Sequence, residues 1–276
     1  MLLHRYFGSH AFETLKEAKL KTSRISSFND PFEFLYISSG KTTAKKARKY
    51  ILSQFDSPAF LLEVQQQIPG FNKKTAMQHL PAMVAAMVSR SQEFDDARLE
   101  EREELTDKCM RVVCLSAANV KPLDEILMWS HYATKHSGVR IGFEFPDGIT
   151  FPFMVEKINY GEKRVAVDFS LGSELDLLTR ALRESVLTKS LAWSYENEYR
   201  LITLPEHCEK RTINSAAEHF LDFKPEWVKS IDFGVRCPKE EIQRIVNLIK
   251  SSYPNKAICK KAVFHKSEYA LDYVEI

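Results

Sequence analysis

The sequence predicts an α+β protein with a mixed, mainly antiparallel sheet as its core and a helical insertion. Residues 138–145 alternate between apolar and polar side chains, the pattern of a strand with one buried face. Residues 41–108 instead follow helical spacing almost throughout. Strand and helix patterns do not alternate regularly along the chain, which disfavours a doubly wound parallel sheet.

The elements can be placed in order along the chain. We predict one domain over residues 1–276, because no linker or internal repeat interrupts it, with the helical insertion at residues 41–108. The charged run at its end, residues 93–108, is typical of a solvated helix face. Strands are predicted at residues 2–7, 20–26, 111–116, 138–145, 153–160, 199–204, 227–235, 257–264 and 270–274, and helices at residues 10–17, 123–134, 174–189 and 239–251.

The composition indicates a folded protein without a strong electrostatic preference for a partner. The 276 residues are 44% hydrophobic and 11% aromatic, enough to bury a substantial core. The 39 basic and 37 acidic residues leave a net charge of +2, which points to neither nucleic acid nor an anionic membrane. No segment approaches the roughly 20 apolar residues of a membrane span. We therefore expect a cytoplasmic protein without a membrane partner.

The cysteine and histidine spacing predicts neither a metal site nor a prosthetic group. The five cysteines contain no C-x-x-C pair, and we expect them to be reduced, buried thiols. His131 and His136 are five residues apart, whereas two zinc ligands on one helical face require a spacing of four.

The first candidate cluster is the segment at residues 28–33. Asp30 precedes Pro31, and Glu33 follows three residues after Asp30, which is the arrangement of a helix N-terminus. Alternatively the segment is a turn that lines a substrate pocket together with the serines just before it. These serines are Ser23, Ser26 and Ser27.

The second cluster lies on the predicted helix at residues 123–134. Trp129, Tyr132 and His136 fall at i, i+3 and i+7, so their side chains are neighbours on a helix. Either they pack in the core or they form a platform that contacts a ligand.

The third cluster is the segment at residues 195–201. If it is extended, Glu196, Glu198 and Arg200 project from one face, with the two carboxylates roughly 6–7 Å apart by backbone rise. One carboxylate could then stabilise positive charge at an anomeric carbon while the other orients a nucleophile, as glycosyl transfer requires. If the segment is helical, Glu196 and Arg200 form an ordinary i,i+4 ion pair.

The order of these clusters resembles a known family. Residues 29–33 (NDPFE), 128–133 (MWSHYA) and 193–200 (WSYENEYR) occur in the order found in the bacterial family called domain of unknown function 2971. Residues 3–6 (LHRY) resemble its N-terminal strand, with His4 in place of the usual aromatic residue. The resemblance covers about residues 2–235, but the family name implies no activity.

A looser similarity in layout connects the chain with ADP-ribosyltransferases, which cleave NAD at the nicotinamide–ribose bond. It implies a split sheet, with Arg5 binding the NAD diphosphate or ribose and Ser23 or Ser26 supporting the nicotinamide. It further implies that Glu198 holds the ribose 2′-hydroxyl and that Glu196 positions a protein or nucleic-acid acceptor. The chain departs from the pattern, because it has no clear Ser-Thr-Ser triplet and because residues 129–133 have no counterpart there.

Three functions follow as expectations. The first is an enzyme that consumes NAD by transfer or hydrolysis, acting as a bacterial toxin or a phage-defence effector. The second is a non-catalytic module whose Trp129, Tyr132 and Trp193 stack on a nucleotide or peptide. The third is a metal-dependent nuclease using Asp30, Glu33, His131 and the two late glutamates. The expected catalytic residues are Glu198 and Glu196, and the expected binding residues are Arg5, Tyr6, Ser23, Ser26, Asn29, Asp30, Trp129, His131, Tyr132 and Arg200.

Overall fold

The computed structural model describes residues 1–34, 36–38, 43–96, 104, 106–146, 153–167, 183–254 and 257–276. The chain divides into two compact units. The first contains Met1–Pro31, Glu104–Glu162 and Lys189–Ile276, and the second contains Phe32–Glu103 and Lys163–Thr188. Most of the predicted helical insertion therefore falls in the second unit. That the whole chain folds as one domain stays a prediction.

The named helices and strands confirm the predicted α+β class. The helices are α1 (Ala11–Glu17), α2 (Ala44–Phe55), α3 (Pro58–Gln67), α4 (Lys73–Asp96), α5 (Pro122–Tyr132) and α6 (Lys239–Ser252). The strands are β1 (Leu2–Phe7), β2 (Lys19–Thr22), β3 (Tyr36–Ser38), β4 (Arg111–Ala117), β5 (Val139–Glu144), β6 (Phe153–Lys157), β7 (Asn159–Gly161), β8 (Val165–Val167), β9 (Thr188–Ser190), β10 (Glu198–Thr203), β11 (Glu209–Ile213), β12 (Ala216–Asp222), β13 (Val228–Phe233), β14 (Ile258–Phe264) and β15 (Leu271–Glu275). None of these helices combines the length and the apolar character needed to cross a membrane.

The first unit is built on an eight-stranded sheet with the order β15-β14-β13-β5-β1-β4-β10-β6. Within it β13 and β14 run parallel, and the other neighbouring strands run antiparallel. The prediction of a mixed, mainly antiparallel sheet is confirmed.

One face of this sheet carries the apolar core of the first unit. Ile141 and Phe143 of β5 are completely buried in the same cluster as Leu3 of β1. The alternation predicted for residues 138–145 is thus confirmed. Ile245 on α6 belongs to the same cluster, so the amphipathic face of that helix covers the sheet.

The opposite face of the sheet is polar, and much of it is buried. Glu198, Ser116, His4, Gly142 and Ser230 lie side by side on five adjacent strands, β10, β4, β1, β5 and β13. Because side chains alternate along a strand, this row points away from the apolar core formed by the neighbouring residues. Polar side chains on this face of the sheet can therefore meet where they are shielded from water.

A split separates β1 from β4 along part of their length. β1 pairs with β5 over all six of its residues, whereas its ladder with β4 contains the pairs Leu3–Ala117 and His4–Ser116. Further along β4, Val112 bridges instead to Ser23, with N···O distances of 2.7 and 3.1 Å. The two strands consequently diverge beyond His4 and leave room between them.

A three-stranded sheet, in the order β11-β12-β2, adds to the first unit. No pattern in the sequence led us to predict β11 and β12, whose hairpin turns at Asn214 and Ser215, both with positive φ. The strand predicted at residues 20–26 is too long. It ends at Thr22, and Ile25–Ser27 form a 3₁₀ turn.

The second unit is mainly helical. Ala47, Ile51 and Phe55 form the buried stripe of α2, which packs against Ala76 and Leu80 of α4. This confirms the helical prediction for residues 44–96. Strands β3 and β8 form a short parallel pair in the same unit.

Two other sequence predictions are only partly covered by the described residues. In the charged run at residues 93–108, Glu104 and Lys108 form an i,i+4 ion pair of 2.6 Å, while residues 97–103 and 105 lie outside the described residues. The helix predicted at residues 174–189 is described only from residue 183. It ends at residue 186, and β9 begins two residues later, so its predicted end was wrong.

Candidate active site

A cavity of about 280 Å³ lies at the split between β1 and β4. His4 and Arg5 line it from β1, while Cys114 and Ser116 line it from β4. Predicted site residues from distant parts of the sequence meet here. They are Arg5, Tyr6, Ser23, Asn29, Tyr132, Glu196 and Glu198.

Two carboxylates in the cavity wall share one ammonium group. Lys189 Nζ donates to Glu196 Oε2 at 2.7 Å and to Glu198 Oε2 at 3.1 Å, and all three side chains are at most 5% exposed. Tyr132 on α5 donates its hydroxyl hydrogen to Glu196 Oε1. Lys189 was absent from the predicted site because nothing in its local sequence distinguishes it from other lysines.

A change of backbone conformation between Glu196 and Glu198 brings their two carboxylates together. Residues Leu191–Glu196 form a 3₁₀ helix, Asn197 adopts the left-handed conformation with φ 42°, and β10 begins at Glu198. Asn tolerates this conformation better than most residues because its short side chain can hydrogen-bond locally. The prediction of one extended segment over residues 195–201 is therefore wrong before Glu198, and the helical alternative is wrong after it.

Arg200 supports Glu198 from behind. Its Nε donates to Glu198 Oε1 at 2.8 Å and its Nη2 to Glu198 Oε2 at 3.4 Å. The guanidinium lies 5.1 Å from the centre of the Phe28 ring. Arg200 is 0% exposed and is not part of the cavity wall, so its predicted contact with a substrate stays a prediction. Its contacts instead hold the carboxylate of Glu198 in place.

The two carboxyls have different proton affinities. Burial alone would raise the pKa of Glu198, but attraction by Arg200 and Lys189 outweighs burial and lowers this pKa to about 2. For Glu196 burial is the strongest influence, and it raises the pKa even though Lys189 and Tyr132 act in the other direction. Glu198 is thus a fixed anion, while Glu196 exchanges its proton closer to neutral pH.

Two basic residues of β1 line the cavity and carry unsatisfied nitrogens. Arg5 donates through Nη2 to the Lys21 carbonyl at 2.9 Å, but its Nη1 and the Nδ1 of His4 are buried without a hydrogen-bond partner among the described residues. Burial, followed by the charge of Arg140, lowers the pKa of His4 to about 3, so its ring is neutral. Nearly all buried polar atoms in native proteins are paired, and a group entering from the cavity could satisfy these nitrogens.

The segment before and around Asp30 forms a turn rather than a helix N-terminus. Residues 31–34 are a turn, and Phe34 has a positive φ of 62°, so the predicted capping arrangement was wrong. Asn29 lines the cavity, as the alternative interpretation predicted, and so do two of its neighbours that the same interpretation included. These neighbours are Ser27 and Phe28.

Two of the predicted binding residues in this region lie elsewhere. Ser26 is bound to Asp107, which accepts from both its backbone nitrogen and its hydroxyl. Asp30 is buried and is not part of the cavity wall. The cavity wall therefore contains Ser23 and Asn29 and not these two residues.

Of the predicted binding residues on α5, Tyr132 lines the cavity, while Trp129 and His131 do not. Tyr132 lines the cavity, but Trp129 is 0% exposed, with its ring edge-on to Tyr6 at 5.2 Å and its Nε1 donating to the Tyr273 hydroxyl at 3.0 Å. Trp129 therefore packs in the core and is not part of the cavity wall, and its contact with a ligand stays a prediction. His131 bonds to Tyr195 at 3.1 Å and lies outside the cavity wall.

A second buried network joins α5 to strands β5, β13 and β15 of the sheet. Arg140 of β5 pairs with Asp232 at 2.9 Å and with Glu125 of α5. Glu125 also accepts from the hydroxyl of Tyr273 at 2.7 Å. Arg140 reaches the hydroxyl of Tyr6 at 3.4 Å, so the network positions one residue of the cavity wall.

No group of three or more His, Cys, Asp or Glu residues within the described ranges is arranged to hold a metal ion. His131 and His136 have separate partners, since His136 bonds to Ser130 at 3.0 Å. The five cysteines all lie in the described part of the chain and form no disulfide. Cys237 and Cys259 are buried as predicted, while Cys109 is exposed.

A family model described as a protein of unknown function (DUF2971) matches residues 128–201. The chain resembles this family. No curated protein and no solved structure matches the chain. The predicted resemblance to the domain of unknown function 2971 is confirmed over this segment, whereas the similarity to ADP-ribosyltransferases stays a prediction.

The DUF2971 segment begins within α5 and ends within β10, so it includes one side of the cavity. It contains Tyr132, Lys189, Glu196 and Glu198, together with Arg200 behind them. The side of the cavity formed by β1 and the Ser23 to Asn29 segment lies outside the match.

Proposed function

We propose that the cavity binds NAD and cleaves its nicotinamide–ribose bond, transferring ADP-ribose to a protein or nucleic-acid acceptor or to water. The observation that carries this proposal is the position of Glu196 and Glu198 in the wall of the same cavity as Arg5 and Ser23. These are the residues, in the order along the chain, that the similarity to ADP-ribosyltransferases implies for NAD cleavage, and they lie in one cavity wall although they are far apart in sequence.

The state of Glu198 suits the positive charge that develops on the ribose as nicotinamide leaves. A carboxylate that is already ionised and fixed in place stabilises an oxocarbenium-like state without reorganising. Arg200 and Lys189 hold Glu198 in this form. Glu198 already accepts from Lys189, Arg200 and Cys114, so a ribose hydroxyl would share one of its about four lone-pair sites or replace one of these donors.

The other charges in the cavity suit an anionic substrate. Arg5 and Lys189 both line the wall, and Arg5 has an unpaired Nη1 that can donate to a diphosphate oxygen. The neutral ring of His4 adds no further positive charge. Glu196 and Glu198 balance the charges of Arg5 and Lys189, so Arg5 supplies a donor for the diphosphate without making the cavity as a whole cationic.

The size of the cavity determines how much of the substrate it encloses. At about 280 Å³ it is just below the range of roughly 300–1,000 Å³ that is usual for sites enclosing drug-sized molecules. We expect the nicotinamide and its ribose to be enclosed and the adenosine end to extend outside.

Release of nicotinamide from NAD by the purified protein tests this proposal. Chromatography would follow nicotinamide in the presence of water, protein or nucleic acid as acceptor. Glu198→Gln should abolish release, because it removes the anion while keeping the shape, and Glu206→Gln, a change at an exposed glutamate, should leave release unchanged. If the wild-type protein releases no nicotinamide with any acceptor, and calorimetry detects no NAD binding, the proposal is wrong.

Binding of a nucleotide without catalysis is a second candidate. Phe28 and Tyr132 line the cavity and could provide the stacking surface that Trp129 does not. Under this alternative Glu198→Gln would still bind NAD, and the wild type would leave it intact. A role as a toxin or phage-defence effector in the cytoplasm belongs to the first proposal, and it predicts growth arrest on expression of the wild type but not of Glu198→Gln.

A further inference from the structure

The two carboxylates that contact Lys189 in the cavity wall have different second partners. Its ammonium group contacts both carboxylates, but Glu198 is also held by the guanidinium of Arg200, whereas Glu196 also accepts from the uncharged hydroxyl of Tyr132. Removing the charge of Lys189 would thus leave one carboxylate with a cation and the other with a phenol. The asymmetry is a property of the contacts themselves.

We propose that Lys189 is a positioning residue that holds both carboxyls in place, while their different second partners, Arg200 and Tyr132, keep Glu198 ionised and leave Glu196 to carry the proton. This inference rests on the proposed cleavage of NAD for the identity of the reaction. The shared ammonium lies 4.9 Å from the ring centre of Trp193, and its side chain is 4% exposed, so it is held in place and shielded from water.

Among the described residues on the elements around Glu196, Lys189 is the cation that contacts its carboxylate. Lys189 belongs to β9, Tyr132 to α5 and Glu198 to β10. Burial raises the pKa of Tyr132, of Tyr160 on β7 and of Tyr195 on the same 3₁₀ helix, so these phenols stay neutral around pH 7. Arg200 pairs with Glu198.

During transfer to a hydroxyl acceptor, the proton of the acceptor passes through the carboxyl of Glu196. The C–N bond between ribose C1′ and nicotinamide breaks, and nicotinamide leaves as a neutral molecule with the electron pair of that bond. The acceptor oxygen forms a bond to C1′ while its hydrogen passes to the carboxylate of Glu196. Glu196 then releases this proton to solvent and returns to its starting state, and Glu198 stays ionised throughout.

Carboxyl titration by carbon-13 NMR of glutamate-labelled protein tests the assignment without any substrate. The Glu196→Gln and Glu198→Gln variants identify the two signals. In the wild type we expect Glu198 to titrate near pH 2 and Glu196 above the usual range for glutamate. If the signal with the higher pKa belongs to Glu198, the proposal is overturned, whatever the Lys189 variants do.

Substitution of Lys189 gives the decisive comparison. Lys189→Met should raise both titrations by at least about one pH unit, a tenfold increase in proton affinity, and Lys189→Arg should restore them because it returns the charge. Lys261→Met is the matched control, since Lys261 is also partly buried but bonds to backbone carbonyls. A folded Lys189→Met protein with unchanged titrations contradicts the proposal. A lack of NAD cleavage with the expected titrations would instead count against the proposed function alone.

Discussion

Glu198 and Arg200 lie two residues apart on β10, and the guanidinium of Arg200 donates to both oxygens of the Glu198 carboxylate at 2.8 and 3.4 Å. The pair is almost completely enclosed, with side chains 3% and 0% exposed. A charge in such a place depends on its partners, because water cannot replace them.

Loss of Arg200 should strongly destabilise the first unit. Arg200→Met leaves Glu198 buried, with Lys189 still paired to it at 3.1 Å. Breaking a buried pair in this way typically costs about 3–5 kcal/mol of unfolding free energy. Denaturant unfolding at pH 7 measures the change. Lys108→Met, which breaks an exposed pair, serves as the control, and an equal loss in both variants would show that burial of the Glu198 pair is not the cause.

Acid should destabilise the protein through Glu198. Its pKa is about 2 in the folded protein against an ordinary value of 4.5, so the folded state favours the ionised form. The resulting stability is present above pH 4.5 and is lost as the pH falls from about 4.5 to about 2. Urea unfolding across this interval should show a steeper loss in the wild type than in Glu198→Gln. Equal slopes in the two proteins would contradict the lowered pKa.

The raised pKa of Glu196 acts in the opposite direction. Its contribution to stability is present below its ordinary value of 4.5 and is lost as the pH rises through the higher folded value. The two carboxyls therefore favour the folded state in different pH ranges.

Arg5 should contribute to NAD affinity. Arg5→Met removes a charged donor from the cavity wall, and a hydrogen bond to a charged group is worth about 1.5–3 kcal/mol, so the dissociation constant should rise roughly tenfold to a hundredfold. Calorimetry measures this change. Arg24→Met is the matched control, because Arg24 also donates through Nη2 to a backbone carbonyl but is exposed. An unchanged affinity in Arg5→Met would exclude Arg5 as a ligand contact.

Trp129 should act on stability and not on ligand affinity. Removing a completely buried indole, as in Trp129→Ala, typically costs about 3–5 kcal/mol. Trp129→Phe keeps the ring packing and loses the hydrogen bond to Tyr273, at a cost of about 1 kcal/mol. NAD affinity of Trp129→Phe should equal that of the wild type, and a large drop would show that the indole reaches the ligand after all.

Asn197 should matter through its backbone conformation. A β-branched residue is costly in the left-handed region, so Asn197→Val should lose about 1–2 kcal/mol of stability, while Asn197→Gly should keep the wild-type conformation. Because this residue turns Glu196 and Glu198 toward Lys189, Asn197→Val should also lose NAD cleavage. Full activity in a destabilised Asn197→Val protein would show that NAD cleavage does not depend on the backbone conformation of Asn197.

The sequence predicted much of the fold because many elements have strong local patterns. The alternating residues of β5 and the apolar stripe of α2 could be recognised without knowledge of their partners. The β11–β12 hairpin was missed, since its strands are largely exposed and lack an apolar alternation. The orientation of Trp129 could not be predicted from the sequence either, because one helical stripe can face either a ligand or the core.

The candidate site was predictable as a set of residues but not as a geometry. Seven predicted residues do line the cavity. Lys189 could not be found from spacing, because its role comes from two contacts made in three dimensions. The left-handed Asn197 was also missed, since an alternating pattern shows which side chains share a strand face only where the backbone stays extended.

β10 lies between β4 and β6 in the sheet, although both of those strands precede it in the chain. During synthesis the place for β10 must therefore stay open until residue 203 has left the ribosome, and only then can Glu198 reach the cavity wall. A chain that stops before residue 196 has Arg5 and Ser23 but neither carboxylate. The cavity wall is thus completed by the strand that is synthesised last of the three neighbours β4, β6 and β10.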